Sequence, residues 1–238
     1  MNENNDPRRV CADTDGRDFS AESLMVLRKA QQEILWLLDR GYPIKNAVTF
    51  VGNHYLLSGR QRLALMRATA PTEAAAERRR KEAADCRGQT VNIDGLNLII
   101  TLEVALSGSP LIRCMDGTVR DLAGLRGTYR LIGKTDTAIR LTGDKLEAMK
   151  AAGAVFYLDS PVSNTGRLKT RIFELLGRRG FALSVELVNN ADAVLKDKPC
   201  VATSDAIILN ECVSWVNLAA AIISESVDKA EYISLEAR

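Results

Sequence analysis

The chain has 238 residues, 46% of them hydrophobic and 26% charged, with 32 Lys and Arg against 30 Asp and Glu. That balance belongs to an ordinary folded globular protein and excludes a polycation held to nucleic acid by bulk charge. No apolar run reaches the roughly 18 residues of a membrane span, so no membrane association is expected. His54 is the only histidine, which excludes a His-based triad and a multi-histidine metal site. The five cysteines, Cys11, Cys86, Cys114, Cys200 and Cys212, are odd in number and contain no C-x-x-C pair. They predict free thiols in a reducing cytoplasm rather than a disulfide framework or zinc ribbon.

Residues 1–18 are rich in Asn, Asp and Arg and lack an apolar h-region. They predict a disordered tail without a secretory signal. Residues 19–88 predict a small all-α basic segment. Its first helix runs from Ala21 to Arg40, with Leu24, Leu27, Ile34, Leu37 and Leu38 at helical spacing, Ser20 as cap and Gly41 as stop. Pro43 opens a shorter helix, and Ser58-Gly59-Arg60-Gln61 reads as a capping box opening a third. Pro71 interrupts that helix. Glu73–Cys86 reads as a charged, Ala-rich helix. Between Arg40 and Ala70 the ionisable groups are Arg40, Lys45, His54, Arg60, Arg62 and Arg67, with no acid. Tyr42, Phe50 and Tyr55 lie among them, a mixture suited to a nucleic-acid backbone and its bases. Arg78-Arg79-Arg80-Lys81, flanked by Glu77 and Glu82, reads instead as a solvated helix face.

From Thr90 onward short apolar runs alternate with helical stretches. Strands are predicted over 90–94, 110–115, 154–159, 181–189 and 200–204, and a last one near 232–235. Helices are predicted over 96–107, within 119–151, and over 164–177, 191–196 and 214–225. This alternation predicts one α/β domain, 89–238, with a parallel sheet. Four of the runs lead into aspartates: Asp94, Asp159, Asp192 and Asp205. Parallel strands would deliver all four to the carboxyl edge, where ligands bind in open α/β sheets. Clustered carboxylates call for a hard cation, Mg2+ or Mn2+. Each aspartate taken alone also reads as a helix cap. The turn Ser160–Arg167 is rich in hydroxyls and suits a phosphate, although it lacks P-loop spacing.

Ile93-Asp94-Gly95-Leu96-Asn97 and Ala202-Thr203-Ser204-Asp205-Ala206-Ile207-Ile208-Leu209 resemble the first and last acidic motifs of PIN/NYN-type nucleases. The whole chain also resembles an uncharacterised prokaryotic family with R-G-Y-P and V-G-N elements, here Arg40-Gly41-Tyr42-Pro43 and Val51-Gly52-Asn53. The resemblance implies a PIN-like, three-layer fold with a parallel sheet covered by helices on both faces. It also implies a metal-dependent ribonuclease in which Asp94, Asp192 and Asp205 bind the metal. Asp159 is counted with them among the catalytic acids, and Glu103 is a poor match for a further helix acid. Asn97, Ser160, Ser163, Asn164 and Ser204 would orient phosphate or metal-bound water. Arg167, Lys169 and the basic segment would guide RNA. A homodimer is compatible with this reading.

Two other readings stand beside it. One is a non-catalytic RNA- or nucleotide-binding module with the same fold. The other is a small-molecule phosphatase, because Met115-Asp116-Gly117-Thr118-Val119-Arg120-Asp121 resembles the D-x-D-G-T signature of haloacid-dehalogenase-type phosphatases. Their nucleophile would fall on Cys114, whose thiol cannot form an aspartyl phosphate. Asp116, Arg120, Asp121 and Arg126 could alternatively form a substrate-contacting loop.

Overall fold

A computed structural model describes residues 12–123 and 127–235; Cys11, Arg126 and the first part of the expected tail lie outside them. The helical segment forms where caps and apolar period agree. Helix α1 is the single turn Asp15–Asp18, followed by α2 (Ala21–Leu38), α3 (Ile44–His54), α4 (Gly59–Ala68) and α5 (Thr72–Arg80). Ser20 caps α2 by accepting from the Ser23 N–H, and the Ser58/Gln61 capping box opens α4. Residues 12–18, expected to be disordered, fold against the helices instead, and the Asp15 carboxylate binds Arg60. Helix α5 ends at Arg80, short of the expected Cys86. There Trp215, fully buried, takes over the backbone: its N–H donates to the Lys81 carbonyl, and Ala83 N–H donates back to Trp215.

The α/β part contains β1 (Thr90–Asp94), α6 (Gly95–Leu106), β2 (Leu111–Arg113), β3 (Val119–Asp121), α7 (Gly133–Ala148) and β4 (Gly153–Asp159). Then come α8 (Thr165–Leu176), β5 (Ala182–Val188), α9 (Ala191–Leu195), β6 (Val201–Ala202), α10 (Ala206–Glu211), α11 (Leu218–Ser226) and β7 (Tyr232–Ser234). The main sheet is parallel throughout, in the order β5-β4-β1-β6. Alternate residues of these strands feed different cores, as a two-residue period requires. Val91, Ile93, Phe156 and Leu158 pack with α6, α7, α8 and α11. Tyr157 and Val201 pack with α9 and α10 and with Trp215. Helices thus cover both faces.

The run at 110–115 does not join that sheet. It folds back at Asp116-Gly117-Thr118, where Gly117 adopts φ +87°, a conformation that glycine reaches without steric penalty. The return stretch Val119–Asp121, expected to begin a helical region, is antiparallel strand β3. With β7 parallel to β2 it makes a second sheet, β3-β2-β7. The reason lies in packing. Ile112, Cys114, Leu122, Ile233 and Leu235 are buried together with Leu27, Ile34, Val48, Val51 and Leu65 of the helical segment. The small sheet and the first helices therefore share one core. Among the described residues no helix is long and apolar enough to cross a membrane.

Candidate functional site

In the main sheet the chain builds outward from β1 to β4 and β5, then returns to place β6 on the other side of β1. The β1/β6 boundary is therefore a topological switch point, the place where open α/β sheets bind ligands. Asp94 ends β1 there and caps α6, accepting from the Asn97 N–H at 3.4 Å. Gly95 follows because a Cβ would lie 2.5 Å from Leu158 Cδ2. Asp205 caps α10 just beyond β6, accepting from the Ile207 and Ile208 N–H groups at 2.7 and 3.3 Å. Thr203 ties the two together. Its hydroxyl accepts from the Asp205 N–H at 3.0 Å and donates to Asp94 Oδ2 at 2.9 Å.

Asp94 is 6% exposed. Burial pushes its carboxyl up, the Thr203 hydrogen bond pulls it down, and the nearby charges of Asp205 and Asp192 push it up again, to about 7. Asp192, half-buried in the first turn of α9, is raised by burial and by the charges of Asp205 and Asp159. Asp159 accepts from the Ala191 N–H at 2.8 Å, which fastens the end of β4 to the start of α9. The four aspartates thus form a mutually repelling edge in which Asp94, Asp159 and Asp205 also accept backbone N–H groups. Among the described residues, no group of three or more His, Cys, Asp or Glu side chains is arranged to hold a metal ion. The donors present are carboxylate, hydroxyl and amide oxygens, hard ligands of the kind Mg2+ prefers. Mg2+ usually keeps several waters and takes only one or two carboxylates. The edge fits such an ion better than it fits an all-protein cage.

Beside this edge lies a cleft of about 290 Å³, walled by Met66 and Arg67 from α4, Asn97 and Ile100 from α6, and Arg120, Ser204 and Asp205. Asn97 Oδ1 accepts from the Ser204 N–H and hydroxyl at 3.0 and 2.9 Å. Arg120 donates to the Ser204 carbonyl at 2.6 Å, to the Arg67 carbonyl, and to Asp116 at 2.6 Å. Asp116 is 1% exposed and also accepts from Arg78 at 2.7 Å and from the Thr118 hydroxyl at 2.6 Å. Burial would raise its carboxyl, but Arg120, Thr118 and Arg78 together hold it below the usual range. Asp116 is thus the centre of a buried ionic knot, and Arg78 is inside that knot rather than on a solvated face. Burial pushes the neighbouring Cys114 thiol up to about 11. Cys86, Cys114, Cys200 and Cys212 are all free and buried.

The other expected site residues are dispersed. Ser163 and Asn164 are fastened to the Tyr129 backbone, and Ser160 donates to Asn189 at 3.2 Å. The hydroxyl-rich turn therefore braces the 127–129 loop. Arg167 is exposed and Lys169 half-exposed along α8. Glu103 is fully buried, accepting from Tyr129 Oη at 2.8 Å and from Thr135, inside the core. The basic cluster divides. Arg60 turns inward to Asp15 and the Leu122 carbonyl; Arg62 reaches the Leu57 and Thr49 carbonyls. Arg67 enters the cleft, paired with Asp121 at 2.9 Å. Arg40, Lys45 and His54 are at the surface, with the Arg40 guanidinium 3.6 Å from the Trp36 ring centre. Sequence reasoning passed over Thr203, whose position just before an aspartate cap was the available signal, and Met66 and Ile100, for which there was none.

Two family models match consecutive stretches of the chain. Residues 26–81 match a family model described as a protein of unknown function (DUF434), and residues 83–221 match one described as a domain of unknown function (DUF5616). An uncharacterized protein of the archaeon Methanocaldococcus jannaschii is 36% identical over 197 residues, covering 81% of this chain and 93% of the relative. No solved structure matches. With more than half of its residues inside the second model and a relative aligned over most of both chains, this protein belongs to the DUF5616 family and carries a DUF434 segment ahead of that domain.

Proposed function

We propose that the protein is a metal-dependent phosphodiesterase acting on RNA. One observation carries the reading: two aspartates, Asp94 and Asp205, flank the switch point of a parallel sheet, linked through the Thr203 hydroxyl. A sheet covered on both faces, with its acids at the carboxyl edge, supports the PIN-like resemblance. Asp94 and Asp205 would hold Mg2+ or Mn2+, with Asp192 contributing through water. Bound there, the ion would supply an acidified water and neutralise charge on the phosphoryl group. The chain does the rest. Thr203 fixes the Asp94 carboxylate in place. Asn97, its oxygen committed to Ser204, turns its NH2 into a donor for a phosphate oxygen. Arg67 and Arg120, each already paired with an aspartate, present guanidinium groups on the neighbouring wall, and such a group matches phosphate oxygens. With its carboxyl pushed up to about 7, Asp94 is partly protonated near neutral pH, so a cation held there would displace that fraction of a proton.

The test is cleavage of single-stranded RNA in Mn2+ by the wild type, Asp94→Asn and Asp205→Asn. Loss in both variants is expected, and equal cleavage by all three removes the proposal. One observation favours a second reading, a non-catalytic RNA- or nucleotide-binding module: no three acids converge among the described residues. That reading predicts binding without turnover. A phosphatase built on Asp116 has no comparable support, since three side chains already bind that carboxylate.

A further inference from the structure

The cleft beside the acid edge is shared. Arg67 and Met66 come from α4 in the helical segment; Ile100, Arg120, Ser204 and Asp205 come from the α/β part. Its volume, about 290 Å³, lies at the lower end for small-molecule sites. It is suited to one nucleotide unit and closed to a duplex, whose paired strands cannot enter a recess of that size. The walls differ in chemistry. Met66 and Ile100, both half-exposed, are apolar, and on the polar wall the guanidinium groups of Arg67 and Arg120 stand beside the carboxylates of Asp121 and Asp205.

The two guanidinium groups are held from behind. Arg67 donates to the Asp121 carboxylate at 2.9 Å and to the Ala123 carbonyl at 2.8 Å, yet its side chain remains 28% exposed. Asp121 is itself fixed by the Thr101 hydroxyl at 3.1 Å and the Ala123 N–H at 2.6 Å. A guanidinium already immobilised loses little entropy when it binds an anion, and its fork matches phosphate oxygens. Asp205 lies on the same cleft, so a phosphate gripped by Arg67 sits beside the acid edge.

The geometry points to a composite nucleotide site. The helical segment, through Arg67, grips the phosphate of one nucleotide unit of a single strand, and Met66 with Ile100 covers its sugar or base. This rests on the phosphodiester reading above and adds a division of labour: the acids come from one segment and the phosphate grip from the other.

Calorimetric titration of the full chain in Mg2+ tests it, with adenosine 5′-monophosphate, adenosine, inorganic phosphate and a 5′-phosphorylated oligoadenylate as probes. The monophosphate is expected to bind at least about tenfold tighter than adenosine, and Arg67→Met to weaken it about 10- to 100-fold, as loss of a charged hydrogen bond does. Because Arg67→Met also strands Asp121, Met66→Trp is the companion: it fills the cleft without touching an ion pair and should abolish binding at an unchanged melting temperature. Equal affinity for adenosine and its monophosphate overturns the phosphate grip. Inorganic phosphate binding as tightly as the nucleotide overturns the apolar cover. Wild-type affinity in Met66→Trp overturns the site itself. RNA cleavage that persists in Met66→Trp removes this inference and leaves the hydrolytic reading standing. Nucleotide binding that Met66→Trp abolishes, in a protein that never cleaves RNA, does the reverse.

Discussion

Replacing Asp94 by Asn should stabilise the protein in alkaline solution and leave it nearly unchanged in acid. In the unfolded chain the Asp94 carboxyl ionises at the ordinary value of 3.8; in the fold it holds its proton to about 7. Between these values the unfolded state has lost a proton that the folded state keeps, so stability falls as pH rises through the window. The span is about three pH units at about 1.4 kcal/mol each, so by pH 7 and above the fold has given up about 4 kcal/mol as an upper figure. Asn cannot ionise and remains a good N-cap for α6. Its single oxygen cannot serve both Thr203 and the Asn97 N–H, which cancels part of the gain. A net difference of about 2–3 kcal/mol in a chain of this length corresponds to a melting temperature higher by roughly 4–12 °C. The assay is thermal unfolding followed by circular dichroism at about pH 4.5 and about pH 8.5, with a chelator present. Mg2+ added at the higher pH should then raise the wild type and leave the variant where it was. The same variant-to-wild-type difference at both pH values would refute the reasoning.

Three further outcomes are expected. Asp116→Ala strands Arg78 and Arg120 in a buried site, and removing one partner of such a network costs about 3–5 kcal/mol; the melting temperature should drop by roughly 6–20 °C, and an unchanged value would show that the knot contributes nothing. Gly95→Ala drives a Cβ to within 2.5 Å of Leu158 Cδ2, and overpacking of this kind costs about 1–3 kcal/mol, measurable by urea titration. Thr203→Val deletes the hydrogen bond that lowers the Asp94 carboxyl. Its midpoint, followed by carboxyl-carbon NMR, should move further up from about 7, and a fall would contradict the direction of the Thr203 donation.

Sequence pattern located α2 to α4 because caps and apolar period coincide there, and it located β4 as a continuous apolar run and β1 and β5 as stretches where apolar and polar residues alternate. It failed at Val119–Asp121, a strand of only three residues that buries an arginine and an aspartate. Such a strand has no hydrophobic alternation to betray it. The end of α5 was invisible for another reason. Ala and Arg favour continuing the helix, and the residue that captures the backbone, Trp215, is remote in sequence. The basic cluster shows the same limit more sharply. Sequence counts charges but does not aim them. Arg60 and Arg67 turn toward Asp15 and Asp121, which lie 45 and 54 residues away. At the acid edge Asp94 and Asp159 were legible because they end strands, and Asp192 and Asp205 because they open helices just past β5 and β6. The hydroxyl linking two of them and the apolar wall of the cleft required the fold.

The core shared by the first helices and β7 sets the order in which this protein is able to fold. Ile233 and Leu235 pack among Leu27, Ile34 and Leu65, so the helical segment leaves the ribosome with part of its apolar face uncovered. That face stays open until β7 has been made. Domains usually complete themselves in the order of synthesis; here the helical segment is closed by β7, which follows the whole main sheet in sequence, and closing so long a loop adds to the entropic cost. Arg67, held on α4 in that segment, reaches its final position in the cleft only when this late closure is complete.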